Sequence, residues 1–182
     1  MSEHRSQPEQ TSKGGTPEDT LIRAVLETCR HVALVGASAK PERDSYKVMA
    51  YLLEQGYAVH PVNPGLAGQT ILNQPVFGNL AEVPAPVEMV DIFRNAEAAG
   101  EVVDEALEQS QRLGLQAIWM QENVVNEPAA ARARATGLRV VMDRCPKVEL
   151  PRLGLAPQPE TETETETETE TEADSETAPE TE

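Results

Sequence analysis

An alternating α/β fold built on one parallel sheet is predicted by three features of the 182-residue sequence. The first is Val32-Ala33-Leu34-Val35-Gly36-Ala37-Ser38, four apolar residues closing on a glycine and small residues. It reads as a buried parallel strand whose end lets a ligand approach the backbone. The second is a join that occurs three times, at Gly56, Gly114 and Gly137, where a helical pattern stops at glycine before a short apolar run. Glycine takes the left-handed conformation that ends a helix. The third is Val87-Glu88-Met89-Val90-Asp91-Ile92-Phe93, which reads as a further strand. Together they give about five parallel strands with helices on both faces, a single Rossmann-like domain.

In chain order, residues 1–15 are polar and are expected to form a flexible N-terminal arm. Thr16-Pro17-Glu18-Asp19 has the form of a helix start, with Thr as N-cap, Pro at the first helical position and acids in the first turn. Leu21, Val25 and Leu26 then supply an apolar stripe that covers a face or edge of the sheet. After the first strand, Tyr46, Met49, Leu52 and Leu53 recur at helical spacing before Gly56 and the strand Ala58-Val59-His60-Pro61-Val62. Val102, Val103, Ala106, Leu107 and Leu113 lead through Gly114 to Ala117-Ile118-Trp119-Met120, and Ala129 to Ala135 lead through Gly137 to Leu138-Arg139-Val140-Val141-Met142. The globular domain is thus expected over 16–156, followed by a tail over 157–182. Of the net charge of −16, −11 lies in residues 158–182, and Glu160 to Glu172 alternate strictly between Glu and Thr. Without large apolar side chains the tail cannot offset the entropy of ordering, so it is expected to be disordered, as a solubilising appendage or as an acidic partner-binding segment.

No run approaches the ~20 apolar residues that a membrane-crossing helix needs, and the N-terminus lacks the apolar core of a secretory signal. The expectation is a cytoplasmic protein. Cys29 and Cys145 are too few for a disulfide scaffold and lack metal-ligand spacing. The acidic balance argues against nucleic-acid binding, which needs clustered Lys and Arg.

In a sheet of this kind a ligand lies at the carboxyl ends of the strands, near the point where strand order reverses. Those ends carry Gly36-Ala37-Ser38, Asn63, Arg94-Asn95, Gln121-Glu122-Asn123 and Asp143 to Lys147. Free N–H groups at the helix start beyond Gly36 favour a phosphate. A dinucleotide fingerprint would need three glycines and an acid after the second strand; only Gly36 is present and the second strand ends in Asn63. Lys40, Arg43 and Lys47 either meet a ligand with several phosphates or are solvated surface cations.

Gly36-Ala37-Ser38 with Pro41-Glu42-Arg43-Asp44-Ser45-Tyr46, then Val62-Asn63-Pro64, Val90-Asp91-Ile92-Phe93-Arg94, Trp119-Met120-Gln121 and Val141-Met142-Asp143-Arg144-Cys145, resemble the small stand-alone CoA-binding domain proteins. The resemblance covers roughly 22–153 and extends to the N-terminal CoA-binding domain of the succinyl-CoA synthetase α subunit. It implies coenzyme A, free or as a thioester, as the ligand. The candidate binding residues are Gly36, Ala37, Ser38, Lys40, Arg43, Ser45, Asn63, Arg94, Gln121 and Asn123. The sequence departs from the synthetase in having Leu66 after Pro64-Gly65, where a lysine helps hold CoA, and in lacking the domain with the phosphorylated histidine. A binding module without catalysis of its own is therefore expected. The alternative is an NAD(P)-dependent oxidoreductase or a redox protein using Cys145.

Individual residues carry paired readings. Ser38 is a phosphate donor or a plain loop residue, since the second glycine of a nucleophile elbow is missing. His31 and His60 are structural, or bases. Asp91, a carboxylate inside an apolar strand, needs a partner if buried. Arg94 meets a phosphate or an acid. Cys145 is a small buried residue, or a thiol activated by Arg144 and Lys147. Trp119 and Met120 pack.

Overall fold

The computed structural model describes residues 15–156. The acidic tail and, apart from Gly15, the N-terminal arm lie outside them. The first helix, α1 (Pro17–Thr28), starts as its sequence indicates. Thr16 accepts from the Asp19 N–H at 3.1 Å and Asp19 accepts from the Thr16 N–H at 3.1 Å, a reciprocal cap that stabilises such a terminus by about 1 kcal/mol. Then follow β1 (His31–Val35), α2 (Asp44–Glu54), β2 (Ala58–Val62), a small hairpin of β3 (Thr70–Ile71) and β4 (Gln74–Pro75), and β5 (Met89–Ile92). The chain closes with α3 (Ala96–Leu113), β6 (Ala117–Met120), α4 (Glu127–Ala135), β7 (Arg139–Val141) and α5 (Pro146–Arg152).

The main sheet has five parallel strands in the order β2-β1-β5-β6-β7. From β1 the chain first moves outward to β2, then returns past β1 to β5 and on to β7, so strand order reverses between β1 and β5. Alternate side chains of each strand enter two cores. On one face Val35, Ile92 and Met120 meet α3 and α4; on the other Leu34, Met89 and Trp119 meet α1, α2 and α5. Trp119 is fully buried, and its Nε1–H donates to the Arg144 carbonyl at 2.7 Å. Trp119 and Met120 thus pack, as expected.

One edge of the sheet is covered by the segment between β2 and β5. The Phe77 N–H donates to the Pro61 carbonyl and the Asn63 N–H to the Phe77 carbonyl, each at 2.9 Å, which adds a single-residue parallel bridge beside Val62. This segment and α5 were not anticipated. Two-residue strands have no period to read, and α5 follows directly on Cys145-Pro146 and contains Pro151.

Candidate functional site

At the reversal between β1 and β5 the backbones close to a distance that only glycine tolerates. Gly36 has φ +91°, and a Cβ there would stand 2.3 Å from the Phe93 carbonyl oxygen. The Gly36 and Ala37 N–H groups both donate to the Val62 carbonyl, at 3.0 and 3.3 Å, and so are spent within the sheet. Strand pairing continues one residue further than the sequence suggests. The unclaimed donors lie beyond, at the start of α2. Its N-cap, Arg43, makes no side-chain cap, and the Asp44 and Ser45 N–H groups have no backbone acceptor among the described residues. α1, α3 and α4 begin differently, with Thr16, Asn95 and Asn126 side chains accepting from their first turns.

A cleft of about 390 Å³ opens over that helix start, lined by Gly36, Ala37, Ser38, Arg43, Asp44, Ser45, Asn63 and Phe93. Asn63 is engaged at both ends. Its Nδ2 donates to the Ala37 carbonyl at 2.7 Å and its Oδ1 accepts from the Gly65 N–H at 2.8 Å, which ties the loop after β1 to the end of β2. Ser38 Oγ accepts from the Lys40 N–H at 3.2 Å. Lys40 itself is exposed and lines neither this cleft nor its neighbour.

The neighbour, about 530 Å³, lies over the ends of β5, β6 and β7. Arg94, Gln121 and Asn123 line it together with Lys47, Val48, Val124, Cys145 and Lys147; Asp44 and Phe93 line both clefts, so the two form one crevice. Asn123 (φ +64°) donates its backbone N–H to Asp143 Oδ1 at 2.7 Å, joining the loops after β6 and β7. Sequence reasoning missed Phe93, Val48 and Val124 as crevice walls; their apolar character marks them equally well as core.

Beneath the crevice Asp91 is fully buried, and Gln121 Nε2 donates to its Oδ1 at 2.7 Å. The partner that a buried carboxylate needs is thus present. Burial raises the carboxyl to about 7, against the Gln121 amide and the Ile92 N–H, which favour its charge. Neither Arg144 nor Lys147 contributes a charge that lowers the Cys145 thiol. Burial pushes its thiol upward, with Asp91 and Glu122 adding to the rise against the Lys147 and Val148 N–H groups. Arg144 turns away to Glu18, at 2.9 Å.

His31 and His60 lie elsewhere. His31 is at the opposite end of β1 with Nδ1 3.5 Å from Glu88, and His60 packs edge-on against Phe77 with burial holding its ring below the usual range. Among the described residues no group of three or more His, Cys, Asp or Glu could hold a metal ion, and no helix is long and apolar enough to cross a membrane.

Comparison with known proteins bears on the same region. The chain is 32% identical over 132 residues to the uncharacterized protein YneT of Bacillus subtilis, covering 72% of this chain and 93% of YneT. A hypothetical protein from Pyrococcus horikoshii has the same fold with a TM-score of 0.68 at 35% identity, covering 83% of this chain and 99% of its own. The α subunit of the ADP-forming acetate–CoA ligase I of Pyrococcus furiosus matches at 28% over 123 residues, 62% of this chain but 26% of the subunit. A family model described as CoA binding domain matches residues 30–151, from the residue before β1 into α5. This span takes in both clefts and most of the chain, and the chain belongs to that CoA-binding domain family.

Proposed function

We propose that the crevice binds coenzyme A or a CoA thioester, with the diphosphate at the start of α2 and the pantetheine arm in the larger cleft. The observation that carries this reading is the shared wall of Asp44 and Phe93 between two unlike clefts. On one side, uncapped N–H groups and the helix dipole favour a phosphate, with Arg43 beside them. On the other, Val48, Phe93 and Val124 alternate with Gln121 and Asn123, a lining suited to a chain of methylenes and amides. In this reading Gly36 and Ala37 keep the loop low enough for the ligand, Ser38 and Ser45 donate to phosphate, Asn63 fixes the loop, and Arg94 spans the opening. Lys40 acts only at longer range.

The chain acts as a binding module, without catalysis of its own, in the cytoplasm. Its two cysteines are unpaired, as suits a reducing compartment. An oxidoreductase using NAD(P) is less well served. Asn63, at the position where an acid would hold a ribose, is engaged within the protein at both ends.

Calorimetric titration with CoA, acetyl-CoA, NAD and NADP tests the reading. Saturable CoA binding is expected. It should weaken by about tenfold in Arg43→Ala, the loss of a charge-assisted contact, and less in Lys40→Ala. Binding of NAD or NADP without CoA would overturn it.

A further inference from the structure

Asp91 lies one layer below the crevice floor. Side chains two apart along an extended chain share a face, so Asp91 on β5 sits under Phe93, just past its end, and Trp119 on β6 under Gln121, just past its end, with Asp91 and Trp119 in register. Phe93 and Gln121 line the larger cleft. Asp91 is wholly enclosed, its Oδ1 takes the Gln121 bond, and its Oδ2 has no partner. Apart from the Gln121 amide and the Ile92 N–H, nothing around it favours its charge. β1 brings Leu34 beside it in register, and Cys145 at the start of α5 is a titratable group near enough to feel its charge. Glu149, farther along α5, is held by Arg152 and Arg144. No cation favours the Asp91 charge.

A primary amide has one donor end and one acceptor end. With Nε2 given to Asp91, Gln121 has its carbonyl oxygen for the cleft. An ionised carboxylate can only accept, so it enforces that choice. A protonated Asp91 can instead donate, and the Gln121 carboxamide is then free to turn its NH₂ outward.

We propose that Asp91 is a positioning residue for the larger cleft: it holds Gln121 with its carbonyl oxygen facing the ligand, as acceptor for an amide N–H of the pantetheine arm, and releases it on protonation. The inference rests on the CoA reading of the crevice. It adds a specificity element for the arm, distinct from the phosphate contacts at α2. Because burial brings the Asp91 carboxyl to about 7, the change of state falls within the neutral range.

The test compares CoA with adenosine 3′,5′-bisphosphate, which keeps the 3′-phosphate and the inner 5′-phosphate and lacks the outer phosphate and the arm, by calorimetry on the full chain. One hydrogen bond is worth about fivefold in affinity, so the CoA-to-bisphosphate ratio in the wild type should be about fivefold higher at about pH 8 than at about pH 6. Asp91→Asn should show the lower ratio at both pH values with bisphosphate affinity unchanged. Gln121→Ala should match it, and the double variant should lose nothing more. A ratio that still rises with pH in Asp91→Asn, or that is flat in the wild type, overturns the inference. Equal losses for both ligands in Asp91→Asn also overturn it, since they report a general structural effect. Should Asp91→Asn not fold, the wild-type pH profile and Gln121→Ala decide alone. A wild type that binds neither ligand overturns the CoA reading itself.

Discussion

The two ends of the parallel sheet treat their polar groups in opposite ways. At the amino ends Glu88 accepts the Arg30 N–H at 2.6 Å and the His31 N–H at 3.0 Å, while Arg30 stacks over the Tyr57 ring at 3.9 Å and donates to the Gln55 carbonyl; His31 Nδ1 and Gln55 Oε1 are left without a hydrogen bond. Arg139 donates to Thr28 and Gln116. At the carboxyl ends the Asp44 and Ser45 amides, Asp91 Oδ2 and the Arg94 guanidinium have no partner among the described residues. What separates the two ends is how far their charged groups and backbone amides spend their bonds inside the protein. The bonds made within the amino end support stability, and the free amides and guanidinium of the carboxyl end are available to a ligand.

Three substitutions sharpen or break this contrast. Gly36→Ala has the largest expected effect, because the new Cβ meets the Phe93 carbonyl at 2.3 Å in a left-handed backbone. Strain and overpacking together should cost about 4 kcal/mol in denaturant unfolding, with CoA binding lost as well. Asp91→Asn should do the reverse for stability at neutral and higher pH. A carboxyl whose folded pKa lies near 7, above its ordinary 3.8, makes the fold progressively less stable as pH rises between those values. The variant should therefore gain of order 3 kcal/mol over the wild type at about pH 8, and nothing below about pH 4. No gain at pH 8 would mean that the carboxyl end is not the strained one.

Glu88→Gln should be smaller and opposite in sign. Burial alone would raise the Glu88 carboxyl, but the His31 and Arg30 N–H groups outweigh it and hold the carboxyl below the usual range. Such a group stabilises the fold above its unfolded pKa, and that contribution fades as pH falls through the folded value. A loss of about 1 kcal/mol near neutrality that disappears in acid is expected in thermal unfolding, with CoA affinity unchanged. An effect on CoA binding would break the separation of the two ends.

The same contrast explains what the sequence reveals. The three helix-glycine-strand joins are local, and Gly56, Gly114 and Gly137 all adopt positive φ as their positions demand. Fold class, strand count and the cap at Thr16 follow from such near-neighbour rules. The crevice is legible as a set of strand ends, because α/β topology places them together. Which donors are free is not legible. Val62 claims the Gly36 and Ala37 amides through pairing between strands far apart in sequence, and only the fold shows that Asn63 turns inward and Arg144 outward. Asp91 stands out in an apolar strand, yet its bond to Gln121 spans 30 residues and depends on the β5–β6 register.

The bridge at Phe77 has a further consequence. Five apolar strands would leave β2 as a bare template for pairing with another chain, the usual starting point of aggregation. Pro61 offers no N–H, its carbonyl is taken by Phe77, and the Phe77 carbonyl is closed by Asn63. The opposite margin, β7, is three residues long and begins with Arg139. The chain thus blunts both margins of its sheet, and an opening of the 63–77 segment would create a sticky edge while leaving the ligand-facing end of the sheet in place.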